Sequence, residues 1–95
     1  MIVGWSAAAL GDLTALQAFI AQHNPAAAQR IVLDIIESVE TLLPAHPHIG
    51  RSGRVSGTRE LVLPRTEYIV PYQVRNGRIQ ILRVYHAARQ WPDKL

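Results

Sequence analysis

Two residues near the end of the chain, His86 and Arg89, have the side chains and the spacing needed for phosphate chemistry. Cleavage of RNA by its own 2′-hydroxyl needs a base, an acid and a cation that stabilises the charged phosphorane. A histidine with an ordinary pKa of about 6.5 can serve as acid or base, and an arginine can stabilise the charge. The alternative left open by the sequence is that His86 ends a strand and bonds a backbone carbonyl.

Four further arginines form a distributed rim suited to an anionic partner. They are Arg51, Arg54, Arg59 and Arg65, on a loop, at a strand start and in a turn. Guanidinium groups match carboxylates and phosphates in a two-pronged geometry. Together with Arg89 and Trp91, these arginines are predicted to bind the molecule on which the protein acts. For Trp91 the alternative is packing against the sheet edge, because aromatic residues serve both as core and as interface anchors.

The charge is divided unevenly along the chain. Residues 1–49 hold one basic against four acidic residues, a net of −3, and residues 50–95 hold nine basic against three acidic residues, a net of +6. The basic half therefore predicts a polyanion or an acidic protein as partner. A merely solvated basic surface is the alternative.

The composition also excludes several classes of site. The absence of cysteine excludes disulfides, a thiolate nucleophile and a cysteine-based zinc site. His46 and His48 lack a nearby third ligand, so we expect neither a metal nor another cofactor. The length predicts one domain, 1–95. Without a basic leader or an 18-residue apolar run, we expect a cytoplasmic protein that makes no membrane contact.

The elements that must position these residues are organised around one hairpin. Asn76-Gly77 separates two β-branched and aromatic runs, and this pair favours a type I′ turn because both its residues need positive φ. A two-residue loop also fixes the register. The predicted pairs are Val74 with Ile79, Tyr72 with Ile81, Pro71 with Leu82, Val70 with Arg83, Ile69 with Val84 and Tyr68 with Tyr85.

Two helices and two further strands complete the pattern. We predict a strand at 1–5, helices at 7–22 and 26–43, and a strand at 58–63, giving the order β-α-α-β-β-β. Ser6 and Asn24 are the predicted N-caps, Pro25 takes a first helical position and Pro44 ends the second helix. The fold class is α+β, with a helical hairpin on one face of a small, mainly antiparallel sheet.

Both faces of the hairpin are largely apolar, and two helices cover only one of them. The other face, with Ile69, Leu82 and Val84 or with the set opposite, is left without cover from this chain. An uncovered apolar face rimmed by arginine predicts an obligate protein partner.

The motifs in this order also carry a family resemblance. They are Asn24-Pro25-Ala-Ala-Ala28, Pro47-His-Ile-Gly-Arg51, residues 53–61, Tyr68-Ile-Val-Pro-Tyr72 and residues 81–92. The chain resembles the RelE/ParE superfamily of toxins from type II toxin–antitoxin modules over essentially its whole length. The resemblance implies a cytoplasmic toxin neutralised by a cognate antitoxin. The antitoxin would wrap the toxin, with Ile69, Leu82 and Val84 as predicted contacts, and would alone bind operator DNA, so that the toxin reaches this DNA only indirectly.

The superfamily divides by target, and the resemblance allows the two branches to be compared. RelE-like members cut mRNA on the ribosome without a metal, whereas ParE-like members inhibit DNA gyrase. Ile69 falls where the nucleases place a strand arginine, and Glu60 and Val62 fall where they carry lysine. Leu95 falls near their catalytic tyrosine, so most of the nuclease chemistry is missing.

Two residues keep the nuclease alternative open. Arg89 matches a C-terminal catalytic arginine, and His86 lies beside the catalytic histidine of the YoeB-like nucleases. We therefore predict a ParE-like inhibitor of DNA gyrase, with a ribosome-dependent mRNA endonuclease using Arg89 and His86 as the alternative. A decayed relative that only binds antitoxin and helps repress the operon is a third possibility.

Overall fold

The sheet contains six strands, and two helices pack against one of its faces. The structure is a computed structural model, and it describes residues 1–88. Its elements are β1 (Ile2–Trp5), α1 (Ala7–Ala21), α2 (Pro25–Ala45), β2 (Arg51–Ser52), β3 (Arg59–Val62), β4 (Tyr68–Arg75), β5 (Arg78–Ile81) and β6 (Tyr85–His86). This confirms the predicted α+β class, adds the short strand β2 and divides the predicted last strand into β5 and β6.

Local sequence signals place both helices. Ser6 caps α1 by accepting a hydrogen bond from the Ala9 N–H, and Asn24 caps α2 by accepting one from the Ala27 N–H. Helix α2 continues through Pro44 to Ala45, so the prediction that Pro44 ends it was wrong. A proline removes only its own N–H, and the His46 N–H still donates to the Leu42 carbonyl at 2.8 Å.

The strand order is β1-β5-β4-β3-β2, with β6 paired to β4. Among the described strands only β1 and β5 run parallel, so the sheet is mixed and mainly antiparallel. The helices and the inner sheet face enclose a core around Tyr72. Its other buried members include Leu13, Leu16, Ile35, Val39, Leu43, Leu61, Val70, Ile79, Ile81 and Val84.

The hairpin turn forms as predicted, with φ of 52° at Asn76 and 72° at Gly77. The predicted pairing of Val74 with Ile79 and of Tyr72 with Ile81 is confirmed. Leu82 still faces Pro71, but beyond Leu82 the predicted register was wrong.

A β-bulge at residues 82–84 changes the register. Two residues of β4 face three on the opposite side, and the N–H groups of Leu82 and Arg83 both point to the Pro71 carbonyl, at 2.9 and 3.5 Å. Tyr85 therefore pairs with Ile69, and His86 pairs with Tyr68. Because side chains alternate along a strand, the extra residue moves His86 to the helix-facing side of the sheet.

Candidate functional site

Helix α1 holds the bulge in place through an ion pair. The Asp12 carboxylate accepts from Arg83 Nε at 2.8 Å, from Arg83 Nη2 at 2.9 Å and from the Val84 N–H at 2.9 Å. The hydrogen bond to Asp12 raises the pKa of the Arg83 guanidinium. Ser6 adds a second tie, since its hydroxyl donates to the Leu82 carbonyl at 2.8 Å. These contacts decide where β6, and hence His86, can lie.

Both ring nitrogens of His86 are engaged. Nδ1 lies 3.2 Å from the Ala88 N–H, and Nε2 lies 2.9 Å from Glu67 Oε2. Since Nδ1 accepts from a backbone N–H, Nε2 carries the proton and donates to the carboxylate. The ring also stands edge-on to the Tyr68 ring, with the centroids 5.5 Å apart. His86 thus ends the sheet, with a carboxylate and an N–H as partners where a carbonyl was expected.

Glu60 organises the arginine loop from a buried position. Its side chain is only 3% exposed, and Oε1 accepts from Arg51 Nε and Nη2 at 3.2 and 3.1 Å. Oε2 accepts from the Arg54 backbone N–H at 2.8 Å. A buried carboxylate needs such partners. At the position that the family resemblance aligns with a nuclease lysine, this chain therefore holds an acid that ties one predicted rim residue, Arg51, to the sheet.

Arg59 and Tyr72 fix the preceding loop. Arg59 Nη1 donates to the carbonyls of His48 and Gly50, at 3.1 and 2.9 Å. The Tyr72 hydroxyl accepts from the Gly50 N–H at 2.9 Å and donates to the Pro47 carbonyl at 2.8 Å. Burial raises the pKa of Tyr72. The guanidinium of Arg59 is thus committed to the loop backbone.

The other predicted target-binding residues divide into two groups. Arg54 and Arg65 are exposed, and Arg65 sits in the turn between β3 and β4 with a φ of 60°. Arg65 and His86 line one cleft of about 460 Å³ beside the helices. Arg89 and Trp91 lie outside the described residues, so their predicted roles stay predictions.

The predicted antitoxin contacts do not form one open apolar face. Val84 is 5% exposed and belongs to the core, because the bulge turns it toward the helices. Ile69 is also 5% exposed, and Leu82 is half-buried. The assignment of all three to one uncovered surface was therefore wrong in its geometry.

Sequence reasoning did not identify Asp12 as a positioning residue, although a signal was present. Asp12 is the only charged residue of α1, and Arg83 is a lone charge in an apolar run. Two isolated opposite charges in apolar segments favour a pair, because unpaired charges are rarely tolerated there.

Residues 1–88 contain neither a metal-binding cluster nor a membrane-spanning helix. That part of the chain contains no cluster of three histidine or acidic side chains arranged to hold a metal ion. Neither of its helices is long and apolar enough to cross a membrane.

Known proteins resemble this chain in sequence and in fold. Residues 3–91 match the family described as the ParE toxin of the type II toxin–antitoxin system parDE. A protein of Sinorhizobium fredii named as a toxin, Y4kP, is 41% identical over 98% of this chain and 95% of its own length. Toxin RelE2 of Caulobacter vibrioides is 37% identical over 92% of this chain and 96% of its own.

A solved structure of a related protein has the same fold. A chain from the chromosomal ParDE system of P. aeruginosa superposes with a TM-score of 0.83 and 34% identity, covering 90% of this chain and 95% of that one. The family match and this structure indicate a type II toxin, which implies a cognate antitoxin as partner, and both relatives are named as toxins. The chain belongs to the ParE toxin family of type II toxin–antitoxin systems.

Proposed function

We propose that this toxin stops growth as ParE-like toxins do, by docking on DNA gyrase, and that it does not cut mRNA. The observation that carries the proposal is the state of His86. Its Nε2 donates to Glu67 and its Nδ1 accepts from the Ala88 N–H, so the ring has no free lone pair to accept a proton from a 2′-hydroxyl.

Two positions where the nucleases carry a basic residue also lack one here. Ile69 replaces the strand arginine and is buried, and Glu60 replaces a lysine and is itself paired with Arg51. Loss of one group that stabilises a developing charge typically costs roughly 10²–10³ in rate. Two such losses would leave little catalysis, whereas docking on a protein needs neither an acid nor a base.

The docking surface we propose is the exposed part of the arginine rim. Arg54 and Arg65 are exposed, and Arg51 presents about half of its side chain beyond the pair with Glu60. Arg89 and Trp91 would extend this surface as predicted from the sequence. Arginine and tryptophan are the residues that most often dominate protein interfaces. Leu82, half-buried at the bulge, remains a proposed antitoxin contact.

The first experiment separates the two targets. The toxin is induced without antitoxin, and DNA and protein synthesis are followed separately by pulse labelling. Gyrase inhibition predicts that DNA synthesis falls first, with an SOS response and loss of supercoiling activity when the purified toxin is added to gyrase. An earlier fall in protein synthesis with cut transcripts would refute the proposal, and harmless overexpression would identify a decayed relative.

The second experiment tests the surface. We expect Arg89→Ala to relieve toxicity while antitoxin affinity changes by less than about tenfold, or 1.4 kcal/mol. The control is Gln17→Ala, since Gln17 is exposed on α1 and lies outside both the rim and the cleft that Arg65 and His86 line. Full toxicity of the Arg89→Ala toxin would place the docking surface elsewhere.

A further inference from the structure

The tip of the β4–β5 hairpin carries two arginines whose positions the fold does not explain. Arg75 and Arg78 are direct partners across the hairpin, on either side of the Asn76-Gly77 turn, and both are exposed. Within residues 1–88 neither guanidinium makes a hydrogen bond or an ion pair. Like charges directly opposite each other destabilise a pair of strands. The pair is therefore suited to bind an anion supplied by a partner.

The surroundings of the pair suit an extended protein segment. Ile2 of β1 is the direct neighbour of Arg78 and is 69% exposed, and the two residues line a cleft of about 470 Å³. Gln73 and Gln80 form the next pair on the same face of the hairpin, with their amides 2.8 Å apart. No acidic side chain is among the described residues that line this cleft. Two guanidinium groups beside an apolar side chain fit a segment that carries both carboxylates and an apolar residue.

The hairpin tip lies far from Arg65, one member of the surface proposed for gyrase. Strand β4 begins at Tyr68, which pairs with His86, and ends at Arg75. Seven residue steps of an extended strand span roughly 24 Å. Arg65 precedes β4 and lines the cleft with His86, so it belongs to the opposite end from Arg75. Basic groups therefore stand at both ends of this strand, Arg65 at one end and Arg75 with Arg78 at the other.

We propose that the hairpin tip, defined by Arg75, Arg78 and Ile2, is a docking site for an acidic, extended segment of the cognate antitoxin. Carboxylates of this segment bind the two guanidinium groups, and an apolar side chain packs against Ile2. The proposal uses the antitoxin that the family implies and does not depend on which molecule the toxin inhibits.

The test reverses the charge of the pair and measures antitoxin binding directly. The double variant R75E/R78E is compared with the single variant R30E, which changes a charge on α2 away from the tip. Association and dissociation rates with the purified antitoxin are measured at low and at high salt. Because exposed interface charges act mainly on the association rate, we expect R75E/R78E to slow association, and thereby to weaken affinity, at least tenfold at low salt. The R30E toxin should stay within threefold of the wild type.

A second variant guards against misfolding. R75Q/R78Q removes the repulsion and keeps side chains that strands accept, so we expect a thermal midpoint at or above that of the wild type. It should still lose the salt dependence of association. In cells, the R75E/R78E toxin should remain toxic when the antitoxin is expressed at the level that rescues wild-type cells.

Two results would overturn the proposal. One is that the affinity for the antitoxin and the salt dependence of association are unchanged in both double variants. The other is loss of toxicity with intact antitoxin binding, which would assign the hairpin tip to the target. Failure of the gyrase proposal would leave these binding measurements unaffected, so the two proposals can fail separately.

Discussion

The contact between Asp12 and the bulge allows a quantitative prediction for Asp12→Ala. The change removes two hydrogen bonds to Arg83 and one to the Val84 N–H, all between 2.8 and 2.9 Å. Breaking a fully buried ion pair costs about 3–5 kcal/mol, and an exposed pair contributes about 0–1 kcal/mol. The side chains of Asp12 and Arg83 are 17% and 28% exposed, which places this pair between the two limits.

We therefore expect Asp12→Ala to lower the free energy of unfolding by about 2–3 kcal/mol. For a domain of this size that corresponds to a fall of roughly 10–20 °C in the thermal midpoint. Urea unfolding of the isolated toxin, followed by circular dichroism, measures the change. The matched control is Asp34→Ala on α2, because Asp34 is exposed and makes no hydrogen bond or ion pair within residues 1–88. It should stay within about 0.5 kcal/mol of the wild type.

A double variant separates the ion pair from the loss of either charge alone. Replacing both partners, as Asp12→Leu with Arg83→Met, leaves no unpaired charge and should recover part of the loss, since apolar replacements of buried pairs are often neutral. Hydrogen exchange at the Val84 amide should accelerate in Asp12→Ala, because this N–H loses its acceptor. A loss below about 0.5 kcal/mol in Asp12→Ala would show that α1 does not hold the bulge.

Two further predictions concern the loop that Tyr72 fixes. An alanine side chain at Gly50 would place its Cβ 2.6 Å from Tyr72 Cε1, so Gly50→Ala should cost about 1–3 kcal/mol in urea unfolding. Gly11 has open space around it in α1, so Gly11→Ala should instead raise the free energy of unfolding by about 0.5–1 kcal/mol. Equal changes in the two variants would contradict the clash at Gly50. Burial raises the pKa of Tyr72 above its ordinary 10.0, so the folded state holds this proton more tightly than the unfolded chain does. The contribution of this proton to the free energy of unfolding is therefore complete below pH 10 and is lost as the pH rises through the folded-state pKa. Urea unfolding midpoints measured between pH 9 and 11 test this, and the midpoint of the Tyr72→Phe variant should fall less steeply with pH.

Local sequence signals alone determined most of the elements. The caps at Ser6 and Asn24, the positive φ values of Asn76 and Gly77 and the apolar stripe of α2 each depend on neighbouring residues only. The short turn then fixed the first hairpin pairs, as far as Tyr72 with Ile81. Short motifs along the chain also carried the family resemblance, which the comparisons confirm.

Tertiary structure alone decided the far half of the hairpin. The extra residue at 82–84 is stabilised by Asp12, about 70 positions earlier in the chain, and no local pattern encodes a contact across that separation. That one residue turned Val84 into the core and His86 toward the helices, and so changed which side chains the site can use. The pairing of Glu60 with Arg51 likewise appeared only once β2 lay beside β3. Sequence patterns specify elements because helices and turns are short-range structures, whereas the choice of partner for an isolated charge is made by packing.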